Sequence, residues 1–338
     1  MPKMLRIMLA AMLVVAAPGG GALATEPAQV TPETYIRAET DRSFLNIQAL
    51  AGGINRFYHI RSPTPLDRQT VVRMNRDTLY SAVVVDNSRG ATITIPEAPG
   101  GRFISALVID NDHYAPAVFY QPGTHQLPGD TRYIFVAVRI QIRDPNDPAE
   151  IAAANALQDR LVVQAGSAEP MPPSRWNADS LRALTAQYEV ESKAYSSWQG
   201  MMGPRGSVNE ATRHIAAAAA WGLNPERDAT YLNYGGQHDP ARCYAATYAV
   251  PENDAFWSIT VYGADGYMKS ETNILNNNNV RLNADGTFTA RFGSRELCGN
   301  VPNRLDVTPG WNFLMRIYRP GPSVLDGRYV LRPAQPVP

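Results

Sequence analysis

The sequence predicts a mostly β protein with a helical insertion, and three observations support that prediction. Segment 255–268, AFWSITVYGADGYM, runs from aromatic and β-branched residues into Gly-Ala-Asp-Gly and a second apolar run, a pattern typical of a hairpin. A second Ala-Asp-Gly, at 284–286, lies between two more short strand-like runs. Short apolar runs separated by turn residues fill 70–142, which favours a small antiparallel sandwich there.

A helix is the first predicted element, over about residues 34 to 53. Its apolar residues recur with a period near 3.6, and Gly52-Gly53 ends the pattern. The strands predicted after it are 71–74, 79–86, 91–96, 102–111 and 133–142.

The middle of the chain, 147–222, is predicted to be helical. Residues 147–150 (DPAE) offer an N-cap, a proline at the first helical position and a carboxylate at the third. A long amphipathic helix follows over about 179–201. Residues 207–210 (SVNE) have the form of a capping box, and the helix that they would open ends at Gly222.

From residue 230 the pattern returns to strands, the last two being predicted at 311–319 and 329–332. A chain of 338 residues is long for one hydrophobic core, which suggests two domains. The predicted divisions are a signal peptide (1–24), an N-terminal β-sandwich domain with a leading helix (34–146), a helical middle segment (147–225) and a C-terminal β domain (226–338).

Residues 1–24 have the features of a secretory signal. Lys3 and Arg6 give a positive start, 7–17 is an apolar run too short to span a bilayer, and small residues at 22–24 suit signal peptidase. We therefore expect a periplasmic or secreted protein with no stable membrane insertion after cleavage. A retained N-terminal anchor is the alternative.

The charge balance argues against nucleic acid as a partner. The chain has 31 Lys plus Arg and 31 Asp plus Glu, so removal of Lys3 and Arg6 leaves a net charge of −2. Nucleic-acid binding calls for a clustered basic face, and the sequence also lacks a polybasic patch for a membrane surface. The sequence predicts no particular oligomeric state.

The two cysteines of the chain are Cys243 and Cys298. In an oxidising compartment two thiols are expected to form a disulfide, and two buried thiols are the alternative. Two cysteines are too few for a structural zinc site, and we predict no metal and no cofactor.

Several segments together resemble exported bacterial proteins that join two domains of unknown function, those numbered 1254 and 1214. The N-terminal resemblance is carried by 75–81 (NRDTLYS), Asp86, Pro96, 101–103 (GRF) and Asp110. The C-terminal resemblance is carried by 256–262 (FWSITVY), 283–286 (NADG) and 311–318 (WNFLMRIY). Together these segments span most of 40–335.

The resemblance implies an immunoglobulin-like N-terminal sandwich, a helical middle and a jelly-roll-like C-terminal sandwich. It carries no settled reaction, cofactor or catalytic residue. This chain departs from the family pattern in two places, because the stretch between Asp110 and the strand at 133 is short and the loop at 295–309 contains Cys298. A pocket formed by those loops is expected to differ here.

Polar residues at strand ends are the candidate functional residues. Residues 110–113 (DNDH) follow a strand, where carboxylates and an imidazole can face a cleft, but side chains that cap a turn give the same pattern. Asn75, Asp77 and Tyr80 can form the polar floor of a pocket. The alternative is a turn in which Asp77 pairs with an arginine such as Arg73 or Arg102.

Alternation along two strands adds three more candidates. Arg316 and Tyr318 share one face of their strand, and a buried arginine usually has a carboxylate partner, so Arg316 is either half of a structural pair or an anion-binding group. Trp257 lies on the face opposite Ser258. It belongs either to the core or to a platform that stacks against a ligand.

The sequence does not say whether the protein is an enzyme, because the motifs of common serine hydrolases, zincins and nucleotide enzymes are missing from it. Our leading hypothesis is recognition of a small ligand, sugar-like or an aromatic acid, in an inter-domain cleft. The alternative is a periplasmic hydrolase of amide, ester or glycosidic bonds that uses Asp110 or Asp77 with His113. A third hypothesis is an envelope interaction protein without a small ligand.

The leading hypothesis requires the predicted ligand-binding side chains to meet in one hollow between the two β regions. No catalytic residue is predicted. The predicted ligand-binding residues are Asn75, Asp77, Tyr80, Arg102, Asp110, His113, Trp257, Arg316 and Tyr318.

Overall fold

The computed structural model describes residues 26–69, 72–195, 197–236, 238–239 and 241–337. The predicted signal peptide lies outside these residues. Within them the chain is mostly β, with an immunoglobulin-like N-terminal sandwich, a jelly-roll-like C-terminal sandwich and helices inserted between the two. The predicted fold class is confirmed.

The helices lie mainly before and between the sandwiches. They are α1 (Tyr35–Leu50), α2 (Pro148–Gln158), α3 (Ala178–Glu191), α4 (Arg213–Ala219), α5 (Arg295–Cys298) and α6 (Pro322–Leu325). Among these helices of the described residues, none is both long enough and apolar enough to cross a membrane.

The strands are mostly short, and three of them, β2, β4 and β7, form the centre of the N-terminal sandwich. In the first half of the chain they are β1 (Tyr58–Ile60), β2 (Thr78–Asp86), β3 (Ala91–Ile95), β4 (Ile104–Asp110), β5 (Ala117–Phe119), β6 (Gly123–Gln126), β7 (Tyr133–Gln141) and β8 (Val162–Ala165). In the second half they are β9 (Ala229–Tyr234), β10 (Tyr244–Tyr248), β11 (Trp257–Tyr262), β12 (Ile274–Asn276), β13 (Phe288–Phe292), β14 (Arg304–Leu305), β15 (Asn312–Tyr318) and β16 (Gln335–Pro336).

The N-terminal sandwich packs a five-stranded sheet against a three-stranded sheet. The strand orders are β1-β2-β7-β4-β5 and β6-β3-β8, and the neighbouring strands are antiparallel. The core between the sheets includes Val83, Ile93, Val136 and, from α2, Leu157. Strands β4 and β7 are buried over their whole length on both faces, which explains their nearly continuous apolar sequences.

Helices cover the outer face of the five-stranded sheet. Phe44 of α1 packs against Phe135 of β7, and Trp221, just after α4, contacts both rings. Helix α1 also packs on α3, where the ring centroids of Tyr35 and Tyr188 lie 4.7 Å apart. The sheet is therefore buried between the sandwich core and a helical layer.

The C-terminal sandwich packs two four-stranded sheets, with orders β14-β13-β10-β16 and β12-β11-β15-β9. Trp257 stacks on Phe288 of the opposite sheet, with ring centroids 4.5 Å apart. Ile259 and Val261 lie in the same core, so the alternation predicted for this strand is confirmed. The other face of β11 is polar and points out of the sandwich.

Cys243 and Cys298 form a disulfide with an S–S distance of 2.07 Å, which confirms the predicted pairing. The bond joins the residue before β10 to the last residue of α5. It therefore closes a loop across the C-terminal sandwich.

Two helix boundaries differ from the prediction. Helix α3 ends at Glu191 and continues only as a 3-10 turn over Ser192–Ala194, whereas the prediction extended it to 201. The capping box predicted at 207–210 is wrong, because the Ser207 hydroxyl donates to the carbonyl of Pro204 and α4 begins at Arg213.

Several strands also differ from the prediction. The segment 329–332 and the described part of 71–74 form no strand. Strand β8, within the segment predicted to be helical, pairs with β3 of the N-terminal sandwich. Its four residues are too few for a clear periodicity, and pairing with a neighbouring strand is what makes this segment extended.

Candidate functional site

The candidate site lies where the outer face of one C-terminal sheet meets the N-terminal sandwich. Asn276, Ser258, Arg316 and Tyr231 occupy paired positions on β12, β11, β15 and β9, so they form one row across that sheet. The row points away from the C-terminal core because side chains alternate along each strand. It faces the loop before β2 and the last residues of β7.

We call the polar side chains at this junction the inter-sandwich cluster. They come from both sandwiches and from the loop after α4. Its members are Asn75, Asp77, Tyr80, Arg139, Asn224, Tyr231, Ser258, Thr260, Tyr262, Arg316 and Tyr318.

Asp77, just before β2, is fully buried in this cluster. Its Oδ2 accepts a 2.6 Å hydrogen bond from the Ser258 hydroxyl, whereas its Oδ1 has no hydrogen-bond partner among the described residues. The backbone N–H of Asp77 donates to the Asn75 side chain at 2.7 Å, which fixes the turn. Burial raises the pKa of the Asp77 carboxyl, and the charge of Arg316 opposes that rise.

Arg316 of β15 is buried, and its hydrogen bonds go to neutral groups. Nη1 donates to the hydroxyl of Thr260 at 2.9 Å, and Nη2 donates to the hydroxyl of Tyr262 and the carbonyl of Arg73, both at 2.8 Å. Burial acts to lower the pKa of Arg316, but Tyr262, Tyr318 and Asp77 together outweigh it, so the pKa lies above the ordinary value. Arg316 therefore stays charged.

One amide holds two tyrosines at the centre of the cluster. The Nδ2 of Asn75 donates to the hydroxyl of Tyr318 at 2.9 Å and to that of Tyr80 at 3.3 Å. Tyr318 is buried and comes from the C-terminal sandwich, whereas Tyr80 is half-buried and comes from β2. Asn75 thus brings the phenols of both sandwiches together.

Arg139 of β7 is the main cluster residue that sequence reasoning missed. Its Nη1 donates to Oδ1 of Asn224 at 3.0 Å and its Nη2 to the carbonyl of Gly222 at 3.3 Å. Its guanidinium carbon lies 5.5 Å from the centroid of the Tyr80 ring. A charged residue inside the otherwise apolar run YIFVAVRIQ of β7 was the signal that could have indicated it.

The tyrosines of the cluster differ in acidity. Burial acts to raise the pKa of Tyr80, but the charges of Arg139 and Arg316 and hydrogen bonds with Thr78 and Asn75 together outweigh it. The pKa of Tyr80 therefore lies below the ordinary value. Burial dominates at Tyr318 and Tyr231, and both have raised pKa values. A proton is therefore lost more easily from Tyr80 than from its two neighbours.

The cluster is short of negative charge. Arg139 and Arg316 are both buried, and among the described residues neither forms an ion pair with a carboxylate. Asp77 is the carboxylate of the cluster, and its burial disfavours the charged form. Because unpaired buried cations are costly, this arrangement is suited to an anion that would pair with the guanidiniums.

A pocket with a volume of about 30 Å³ adjoins the cluster at Asn224 and Tyr231. That volume is enough for one or two water molecules. Elsewhere, the described ranges contain no group of three or more His, Cys, Asp or Glu side chains placed to hold a metal ion.

The structure brings five of the predicted ligand-binding residues together in the cluster, namely Asn75, Asp77, Tyr80, Arg316 and Tyr318. It places the other four elsewhere. The face that Arg316 and Tyr318 share is as predicted, with the apolar residues of β15 on the opposite face.

Arg102 forms a local ion pair and does not reach the cluster. Its guanidinium donates to both carboxylate oxygens of Glu150, at 2.9 and 3.1 Å, and to the carbonyl of Gln141 at 2.7 Å. Helix α2 supplies Glu150 in its first turn, so the pair attaches that helix to the sheet. The cation whose charge acts most strongly on the pKa of Asp77 is Arg316, and not Arg73 or Arg102, the partners suggested in the alternative of a turn with an ion pair.

Trp257 is a core residue, so it does not line the site. It is 1% exposed and stacks on Phe288 inside the C-terminal sandwich. Its neighbour Ser258 points to the opposite face, towards Asp77. Of the two alternatives for Trp257, a core position is confirmed and a ligand-stacking platform is wrong.

Asp110 and His113 lie at the far end of the N-terminal sheet. Phe103, just before β4, contacts Tyr318 at the junction, with ring centroids 5.6 Å apart. Asp110 is the last residue of β4, and at about 3.3 Å per residue it lies roughly 20 Å from that contact. The single hollow predicted for all nine residues is therefore not formed.

The contacts of these two residues are those of a capped turn. The Asp110 carboxylate accepts from the backbone N–H groups of Asp112 and Tyr114, both at 2.9 Å. The His113 Nε2 accepts from the N–H of Gly222 at 3.3 Å, and burial lowers the pKa of His113 to about 3. No carboxylate bonds to this imidazole among the described contacts, so the pair that the hydrolase hypothesis needs is not assembled.

Two family models match the chain, one in each sandwich. The model described as protein of unknown function (DUF1254) matches residues 54–126, and the model described as protein of unknown function (DUF1214) matches residues 228–322. The chain belongs to the two-domain DUF1254–DUF1214 family. Comparison with curated protein sequences gives no significant match.

Two solved structures share this fold. The VPA0106 protein from Vibrio parahaemolyticus superposes with a TM-score of 0.70 at 15% identity, over 90% of this chain and 97% of that one. An uncharacterised protein from Burkholderia cenocepacia gives a TM-score of 0.51 at 14% identity, over 93% of this chain and 90% of that one. At such low identity the likeness shows the fold alone.

Both domains of the DUF1254–DUF1214 family contribute to the inter-sandwich cluster. Asn75, Asp77 and Tyr80 lie within the DUF1254 match, whereas Arg316 and Tyr318 lie within the DUF1214 match. Arg139 and Asn224 fall outside both matches. The cluster therefore exists only when the two domains pack together.

Proposed function

We propose that this protein recognises the carboxylate of a small organic acid, aromatic or sugar-like, between its two sandwiches. The observation that carries the proposal is the pair of buried guanidiniums, Arg139 and Arg316, whose hydrogen-bond partners are neutral. A bound carboxylate would supply the missing negative charge.

The surroundings of the two guanidiniums suit such a ligand. The phenol groups of Tyr80 and Tyr231 lie near both of them, since the charges of Arg139 and Arg316 both act to lower the pKa of each phenol. Phenol rings offer an apolar surface to a ligand body and hydroxyl groups to its polar edge. In this arrangement an arginine pairs with the carboxylate and the tyrosines fix its orientation.

Binding of a whole acid requires the cluster to open. The adjoining pocket has a volume of about 30 Å³, which is smaller than such a ligand. Tyr80 and Tyr231 are half-buried and lie at the margin of the cluster, so their displacement widens the space with the least loss of core packing. The proposal therefore includes a small movement of these rings on binding.

Calorimetric titration of the purified protein with benzoate and with glucuronate tests the proposal, and benzamide is the neutral counterpart of benzoate. We expect at least one of the two acids to bind and benzamide not to bind. Arg139→Gln and Arg316→Gln should each weaken binding by about 10- to 100-fold, the range expected for a charge-assisted hydrogen bond.

A matched control separates recognition from folding. Arg102→Gln also removes a buried arginine, but one that is already paired with Glu150, so it should reduce stability and leave the affinity unchanged. If Arg139→Gln proves unstable, Arg139→Lys takes its place. This variant retains the charge but loses the paired N–H donors, so it should retain part of the affinity. Absence of binding by both acids, or full affinity in folded Arg139→Gln and Arg316→Gln, would refute the proposal.

A further inference from the structure

The pocket beside the inter-sandwich cluster has a mixed lining in which polar residues outnumber apolar ones. The polar residues are Ser197, Gln199, Glu226 and Thr230, together with Asn224 and Tyr231 of the cluster, and the apolar ones are Trp198, Leu223 and Ala229. Burial raises the pKa of Glu226, and a hydrogen bond with Gln199 opposes that rise. Such a lining offers both donors and acceptors to whatever occupies the pocket.

The pocket and the proposed carboxylate site share two residues. Asn224 lines the pocket and also accepts the 3.0 Å hydrogen bond from Arg139. Tyr231 lines the pocket and lies beside the same arginine. The pocket is therefore separated from Arg139 by a single side chain, that of Asn224, and a ligand whose carboxylate pairs with Arg139 lies next to the pocket.

The size of the pocket restricts what it can accept. A volume of about 30 Å³ holds one or two water molecules, and a water molecule is stable where two to four polar groups surround it. A hydroxyl group is of similar size and makes similar hydrogen bonds, so it can replace such a water molecule without leaving the lining unsatisfied. A methyl group would leave those polar atoms without partners.

We propose that this pocket binds a hydroxyl group of the ligand, so that the preferred ligands are hydroxylated acids of the hydroxybenzoate class. This inference rests on the proposed function, because the carboxylate of the same ligand occupies the site at Arg139. The Glu226 carboxylate accepts a hydrogen bond from this hydroxyl group, and Gln199 and Asn224 orient the hydroxyl. The guanidiniums thus make the site selective for acids, and the pocket makes it selective for hydroxylated ones.

The test compares benzoate with the three monohydroxybenzoates by calorimetric titration of the whole protein. We expect at least one isomer to bind about tenfold more tightly than benzoate, the gain typical of one additional hydrogen bond. In Glu226→Ala and in Gln199→Ala, that isomer and benzoate should bind with nearly equal affinity. Glu189→Ala, which removes an exposed glutamate of α3, is the matched control and should keep the tenfold difference.

The outcomes separate this inference from the proposed function. If benzoate binds through Arg139 but no isomer binds more tightly, the hydroxyl pocket is refuted and acid recognition stands. A tenfold gain that survives in both Glu226→Ala and Gln199→Ala also refutes the pocket. If glucuronate binds but neither benzoate nor any hydroxybenzoate does, this inference fails and acid recognition stands. If none of these acids binds, the proposed function fails and this inference fails with it.

Discussion

The hydroxyl of Ser258 donates a 2.6 Å hydrogen bond to the carboxylate of Asp77, across 181 residues of sequence. Both side chains are fully buried. The bond joins β11 of the C-terminal sandwich to the start of β2 in the N-terminal sandwich. Because a hydrogen bond to a buried carboxylate is stronger than one between neutral groups, this contact is expected to matter for how the sandwiches hold together.

Ser258→Ala should therefore lower the free energy of unfolding by about 2 kcal/mol, because Asp77 loses a hydrogen bond in a buried environment. Urea denaturation of the variant and the parent protein measures the difference. Ser270→Ala is the matched control, since Ser270 donates to Asp306 at the same 2.6 Å, but that carboxylate is 32% exposed and water can replace the bond. Equal losses in the two variants would contradict the role of burial.

Tyr80 should ionise before the other tyrosines of the cluster. In an alkaline titration that follows phenolate absorbance, the parent protein should show one ionisation below the ordinary tyrosine pKa, because Arg139 lies over the Tyr80 ring. Tyr80→Phe should remove this phase. Tyr318→Phe, which removes the other phenol held by Asn75, should retain it because the pKa of Tyr318 is raised. An early phase that persists in Tyr80→Phe would assign it to another residue.

His113 should make the protein less stable as the pH falls. Burial lowers its pKa to about 3 from an ordinary value of 6.5, so the unfolded chain binds a proton over this interval and the folded chain does not. The stabilising contribution is complete above pH 6.5 and is lost towards pH 3. Between pH 7 and pH 4 we expect a loss of about 3 kcal/mol from this group.

Urea denaturation at several pH values checks this expectation in the parent protein and in His113→Asn. Asparagine is chosen because the backbone at this position has φ 62°, a conformation that Asn tolerates. The variant should have a shallower dependence of stability on pH over this interval. Parallel curves for the two proteins would show that His113 is not the group responsible.

The disulfide should stabilise the C-terminal sandwich. Cys243 and Cys298 are 55 residues apart, and closing a loop of that length contributes about 4 kcal/mol in the chain-entropy description. We expect reduction, or Cys243→Ser together with Cys298→Ser, to lower the free energy of unfolding by that order. Denaturation with and without a reducing agent measures it, and the double serine variant, which should not respond to the agent, is the control.

Much of the local structure could be predicted because it depends on short stretches of chain. The cap and proline at 147–150 mark the start of α2, where Asp147 accepts from the N–H of Ala149. Alternation in β15 places Arg316 and Tyr318 on one face, as the structure has them. The segment 207–210 has the same kind of signal, but the side chain of Ser207 bonds to a preceding carbonyl instead.

The candidate site could be predicted only in part. Arg316 was expected either in a structural pair or as an anion-binding group, and the carboxylate whose charge acts on it, that of Asp77, comes from the other sandwich. Arg139 was overlooked because a single charge within a long apolar strand has no motif around it. Asp110 was grouped with Asp77, although the two do not meet. Asp110 lies at the end of β4 away from the junction, so the full seven-residue length of that strand separates it from the cluster.

The sequence by itself determined the β character, the faces of β11 and β15, the cap of α2 and the resemblance to a two-domain family. These features follow from backbone geometry, which repeats every few residues and so leaves a local pattern. Only the tertiary structure decided that Asn75, Asp77 and Tyr80 meet Arg316 and Tyr318, and that Asp110 and His113 do not. The reason is that such contacts depend on how two whole sheets pack, and the free energy of that packing is distributed over residues far apart in the chain.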